Sequence, residues 1–162
     1  MALHRYHSKD LRKNRHSEAG RIYLVTTTSQ SRQAIFLNIP LGGIVANEIR
    51  KSDDEGKTHT FAYVVMPDHL HWLFSLQSHS LLSSVVRSVK GRAARRINKV
   101  RKQTGAVWQS GFHEHALRDE ESLEDIGNYV IANPLRANLV SNVDEYPLWD
   151  LMWQRWQAQV RG

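Results

Sequence analysis

The 162 residues suit one compact domain, and 41 % apolar with 23 % charged residues is the balance of a folded chain rather than a disordered one. No apolar run approaches the ~20 residues of a membrane helix, the first residues do not read as a secretory leader, and cysteine is absent. These observations exclude disulfides and cysteine-ligated zinc, and lead us to expect a cytoplasmic protein with no membrane contact. A net charge of +6 points to a polyanionic partner, because neutralising phosphates releases their counterions.

Residues 1–19 read as a basic arm, with Arg5, Arg12, Lys13 and Arg15 set against only Asp10 and Glu18. Residues 21–28 are rich in β-branched and aromatic side chains and predict a strand. After a polar break, Pro40 opens a helix over 40–51, with Leu41, Ile44, Val45 and Ile49 at helical spacing. The polar run 52–57 is a loop. Residues 61–66 predict a second strand and 69–76 a third, joined by Pro67-Asp68 so closely that they should form an antiparallel hairpin.

Residues 80–102 predict the clearest helix. Leu82, Val85, Val86, Val89, Ala93, Ile97 and Val100 fall on one side. Arg87, Lys90, Arg92, Arg95, Arg96, Lys99, Arg101 and Lys102 take the remainder, with no acidic residue anywhere in the segment. Like charges at helical spacing repel one another, so this face is expected to bind phosphates, with the first six of these residues as contacts. Residues 108–117 predict a fourth strand or an extended segment. An acidic first turn at Asp119-Glu120-Glu121 then leads a helix to Asn133-Pro134.

The order strand, helix, strand, strand, helix, strand, helix fits an α+β, ferredoxin-like plan: an antiparallel sheet with helices on one face. The expected organisation is a basic arm (1–19), one domain (20–147) and a C-terminal tail (148–162).

His69-Leu70-His71 places two imidazoles on one face of a strand, where they can share a divalent cation. Among nine histidines such a pair can also arise as ordinary structural residues. Tyr129 and Asn133 lie four apart, so they share a face if the helix continues; Pro134 disfavours helical backbone at Asn133. His113-Glu114-His115 is a second same-face pair, read chiefly as structural. Trp72 and Trp108 are candidate stacking platforms, although indoles more often fill cores.

The stretch 62–73, with Pro67-Asp68-His69-Leu70-His71, resembles the His-hydrophobic-His (HUH) box of single-tyrosine transposases. Residues 129–140, Tyr-Val-Ile-Ala-Asn-Pro-Leu-Arg-Ala-Asn-Leu-Val, are similar to the tyrosine motif of the REP-associated branch. Trp108-Gln109-Ser110-Gly111-Phe112 and Tyr23-Leu24-Val25-Thr26 fit that branch too, so the likeness spans roughly residues 20–147. The resemblance implies the HUH transposase fold, Tyr129 as nucleophile, and His69, His71 and Asn133 as ligands of Mg²⁺ or Mn²⁺. It implies an endonuclease and strand transferase that acts on single-stranded or hairpin DNA, as a monomer or homodimer. Two imidazoles suit Mn²⁺ better than the oxygen-preferring Mg²⁺. Asn138 departs from the motif, since many relatives carry glycine there.

Other readings are weaker. A histidine-triad hydrolase needs a third histidine where Leu73 stands, and an amidohydrolase barrel takes ~250 residues. A hairpin-binding module without catalysis remains the alternative, although binding alone requires none of His69, His71, Tyr129 and Asn133.

Overall fold

The computed structural model describes residues 20–77 and 80–152. Its elements are β1 (Ile22–Thr28), α1 (Ile39–Asp54), β2 (Thr58–Met66), β3 (His69–Leu76), α2 (Leu82–Arg101), β4 (His113–Ala116), α3 (Leu123–Ile131), α4 (Asn133–Arg136) and β5 (Trp149–Leu151). The sheet runs β4-β1-β3-β2-β5 with every pairing antiparallel. Its first four strands have the ferredoxin-like order, so the expected fold class holds. No helix among the described residues is long and apolar enough to cross a membrane.

Alternation along β3 divides the sheet into two unlike faces. Leu70, Trp72, Phe74 and Leu76 point one way, all fully or almost fully buried. Thr58 and Thr60 on β2 share that face and donate to Asp53 near the end of α1. Helix α1 packs against α2, so both long helices cover this side. On the other face, His69, His71 and Leu73 stand beside Thr28, Thr26 and Leu24 of β1 and Met66, Val64 and Ala62 of β2. The shorter α3 crosses that second face, contacting β2, β3 and β5. Ile126, Val130 and Ile131 are its buried stripe.

Local chemistry sets the ends of these elements. Pro67 cannot take the positive φ of the mirror-image turns usual in two-residue hairpins. The turn between β2 and β3 is instead held from outside: Pro67 O accepts from Phe36 N–H at 3.0 Å, and Asp68 O from Ser29 N–H at 2.9 Å. Helix α2 ends with Lys102 in the left-handed region, φ +53°. The Ser122 side chain caps α3 by accepting from Asp125 N–H at 3.2 Å.

Two segments differ from expectation. The predicted fourth strand is shorter at its start, because Trp108 makes only an isolated bridge to Ser29 before the chain arches away and rejoins β1 at His113. The expected tail contributes a strand: Trp149–Leu151 pairs with β2. Burial of Leu148 and Leu151 holds it there, along with Tyr146, whose hydroxyl donates to Val65 O at 2.5 Å. Burial pushes the Tyr146 phenol up to about 12.

Tyr146→Phe would leave Val65 O without that donor inside the fold. We expect a loss of about 1–3 kcal/mol in urea unfolding, the usual cost of a buried orphaned polar group. An unchanged midpoint would mean the bond does not anchor the β5 segment.

Candidate active site

The two strand histidines are held alike. His69 Nδ1 lies 2.6 Å from Asp68 Oδ1, and His71 Nδ1 lies 2.8 Å from Thr26 Oγ1. The rings meet edge to face with centroids 4.7 Å apart. With Nδ1 engaged in both rings, Nε2 is the nitrogen left for a further partner, the arrangement that outer partners give metal-binding histidines. Burial, with added repulsion from His69 and Arg136, pushes the His71 imidazolium down to about 3. Its ring is therefore a neutral donor at ordinary pH.

Tyr129 is 38 % exposed on α3, a poor fit for a core aromatic. It is gripped by Arg136, a residue that sequence reasoning did not single out. The guanidinium carbon sits 3.8 Å from the Tyr129 ring centroid, and Nη2 donates to Tyr129 O at 2.7 Å. Arg136 is also near enough to His71 to disfavour its charged form, so the tyrosine segment borders the imidazole face. No helical spacing signals this contact, because the helix is broken between the two residues.

The helix does not run on from Tyr129 to Asn133 as expected. α3 stops at Ile131, and Asn133 opens α4 with Pro134 in its first turn. Proline cannot donate to an earlier carbonyl, and the freed group finds a side chain instead. Asn133 Nδ2 donates to Val130 O at 2.7 Å, which leaves its amide oxygen for another partner. Asn138 lies at φ +57°, the left-handed region that asparagine tolerates best after glycine. Its departure from the motif therefore preserves the turn.

Two imidazoles with an amide oxygen are one of the borderline donor combinations that suit Mn²⁺. Among the described residues no cluster of three His, Cys, Asp or Glu forms.

The basic helix is compensated from outside its own sequence. Arg96 reaches Glu48, 1 % exposed on α1, at 2.9 Å, and Arg92 reaches Glu55 at 2.8 Å. Lys90 Nζ donates to Gln109 O at 3.0 Å and Gly111 O at 2.6 Å, and burial lowers its pKa. These three expected DNA contacts therefore have partners within the protein. Arg87, Arg95 and Lys99 are exposed. Arg5, Arg12, Lys13 and Arg15 lie outside the described residues.

Neither indole is an open platform. Trp72 is 1 % exposed with Nε1 on Thr60 Oγ1 at 3.0 Å, and Trp108 packs on Phe36 with Nε1 on Lys90 O at 3.1 Å. His115 is buried and bonded to Glu121 at 2.8 Å, linking β4 to the approach of α3; His113 is exposed.

A family model described as "Transposase IS200 like" matches residues 19–133. A protein of Haemophilus influenzae named as a REP-associated tyrosine transposase is 27 % identical over 143 residues, covering 79 % of this chain and 78 % of its own. The REP-associated tyrosine transposase of Escherichia coli K12 is 28 % identical over 87 residues, 53 % of this chain and 50 % of that one. A solved REP-associated tyrosine transposase bound to a REP hairpin superposes with TM-score 0.66 at 20 % identity, covering 92 % of this chain and 82 % of the other. A transposase from Deinococcus radiodurans R1 gives 0.50 at 18 % identity, covering 70 % and 91 %. At these identities the two structures speak for the fold.

The buried imidazole makes stability depend on pH. His71 titrates near 6.5 when unfolded and at about 3 in the fold, so between those values the unfolded chain binds the extra proton. Stability rises with pH across that window and is lost as pH falls through it. The urea midpoint should drop less between pH 7 and pH 5 in His71→Gln than in the wild type. Equal drops would clear His71 of the linkage.

Proposed function

The chain belongs to the IS200-like transposase family, and on that premise we propose that it is a metal-dependent single-strand DNA endonuclease and strand transferase acting beside DNA hairpins. The observation that carries this reading is the pair of imidazoles held through Nδ1 on the sheet face that α3, with its exposed Tyr129, crosses. The hairpin comes from the relative solved on a REP hairpin, and the basic surface of this chain suits such a polyanion.

Tyr129 attacks the scissile phosphorus in line. The phenolic oxygen forms a bond to phosphorus while the bond to the 3′ oxygen breaks, and the phenolic proton passes in net to the departing 3′-hydroxyl. The product is a tyrosine phosphodiester that conserves the energy of the cleaved linkage. An incoming 3′-hydroxyl then attacks the same phosphorus, joins the strands and restores the phenol without ATP. His69 Nε2, His71 Nε2 and Asn133 Oδ1 would hold Mg²⁺ or Mn²⁺, which supplies charge withdrawal from the non-bridging oxygens. Arg136 restrains the ring and sets a fixed cation where phosphate charge must gather.

Catalysis is tested against the binding-only alternative with a hairpin oligonucleotide carrying single-stranded flanks, taken from inverted repeats beside the coding region. With Mn²⁺, wild-type protein should form a covalent DNA adduct that survives denaturing electrophoresis, and a chelator should abolish it. Tyr129→Phe should bind the hairpin and form none. Wild type that binds yet never becomes linked would establish the module without chemistry. Arg136→Ala should slow adduct formation about 5–30-fold at saturating DNA, the scale of a desolvated cation–π contact with lost positioning. Arg136→Lys should recover part of that loss. A change confined to the DNA dissociation constant would make Arg136 only a binding residue.

A further inference from the structure

A cavity of about 650 Å³ opens between β1, the first turns of α2 and the arch that carries residues 106–112. It exists because the chain leaves β1 after Trp108 and rejoins it only at His113, so Thr27 and Thr28 have no strand beside them there. Lys90 fixes the shape of the arch through Gln109 O and Gly111 O. Its ammonium is thereby committed, and Arg87 is the exposed cation in the wall.

Three features of the wall point to a ligand. Phe112, half-buried, offers an aromatic surface, and exposed Gln109 and Ser110 offer an amide and a hydroxyl. Thr27 is 2 % exposed, yet its hydroxyl has no hydrogen-bond partner among the described residues. A buried hydroxyl is seldom left so, and each exception calls for a reason. The volume falls within the ~300–1,000 Å³ of ligand-holding pockets. It admits an unstacked base with its sugar, not a stacked duplex.

We propose that this cavity is a binding pocket for one unpaired nucleotide of single-stranded DNA, with a backbone phosphate on Arg87 and the base against Phe112. This inference rests on the proposed function and adds where the single strand lies. Thr26 lines the pocket and also bonds His71, so the pocket and the imidazole pair share a wall. An aromatic side chain beside a guanidinium is the usual pairing for unpaired bases, because every base has a face to stack and a phosphate to neutralise. Lys90 is then a positioning residue for the pocket rather than a DNA contact.

The probe is a fluorescent eight-residue oligothymidine with a central 5-bromouracil, measured by anisotropy at several salt concentrations. Arg87→Ala should weaken binding several-fold and lower the slope of log K against log salt by about one. Arg50→Ala, an exposed charge on α1, should do clearly less. Ultraviolet crosslinking should label the tryptic peptide 103–118, which contains Phe112. Thr27→Val keeps the shape and removes the orphaned hydroxyl, so it should weaken binding while leaving the unfolding midpoint unchanged or higher. Equal losses from Arg87→Ala and Arg50→Ala, or crosslinks confined to other peptides, would overturn the pocket. Covalent adduct formation on the hairpin is scored separately, so failure of the pocket and failure of the nuclease reading give different results.

Discussion

The register between β1 and β3 is the constraint on which everything else depends. Pairing Thr26 with His71 and Thr28 with His69 sends both imidazoles to one face and Leu70, Trp72 and Phe74 to the other. Side chains alternate with period two, so a slip of one residue would bury the histidines under α1 and α2 and expose the indole. The slip is blocked by the apolar surface it would uncover and by the carbonyls of Pro67 and Asp68, which are pinned from outside the hairpin. Thr26 gains a second role from the same register. Its hydroxyl orients the ring of His71, so a strand residue acts as the outer support of the site.

Charge is divided between structure and surface in a way that helix periodicity does not reveal. α2 holds seven cations and no acid, yet Arg92 and Arg96 are satisfied by Glu55 and Glu48 from α1. A carboxylate as buried as Glu48 requires such a partner, and a guanidinium with several donors supplies it well. Lys90 is spent on two loop carbonyls. The cations of α2 left for a polyanion are fewer than composition suggests, and Arg87 among them sits where α2 borders the arch.

The tyrosine segment depends on a broken helix. Had α3 continued, Tyr129 and Asn133 would be stacked a turn apart; Pro134 ends that continuity, and the chain restarts as α4. The break lets Asn133 donate to Val130 O and brings Arg136 back over the Tyr129 ring. Asn138 closes the segment in the left-handed region, with Leu139 N–H on Pro134 O at 2.9 Å. Each of these contacts is local in sequence, yet each relies on a kink whose direction the neighbouring sheet decides.

Periodicity alone determined a good deal of this protein. The hairpin over 61–76, the long basic helix and the same-face placement of His69 and His71 follow from repeats of two and 3.6 residues, which are local properties of the chain. The paired motifs likewise single out Tyr129 and Asn133. Tertiary structure decided the rest, because it concerns partners distant in sequence. It made Trp72 and Trp108 core residues, drew β5 out of an apparent tail, assigned Lys90, Arg92 and Arg96 to internal partners and set Arg136 on Tyr129. Burial and charge pairing are settled by what packs opposite a residue, and no local pattern contains that information.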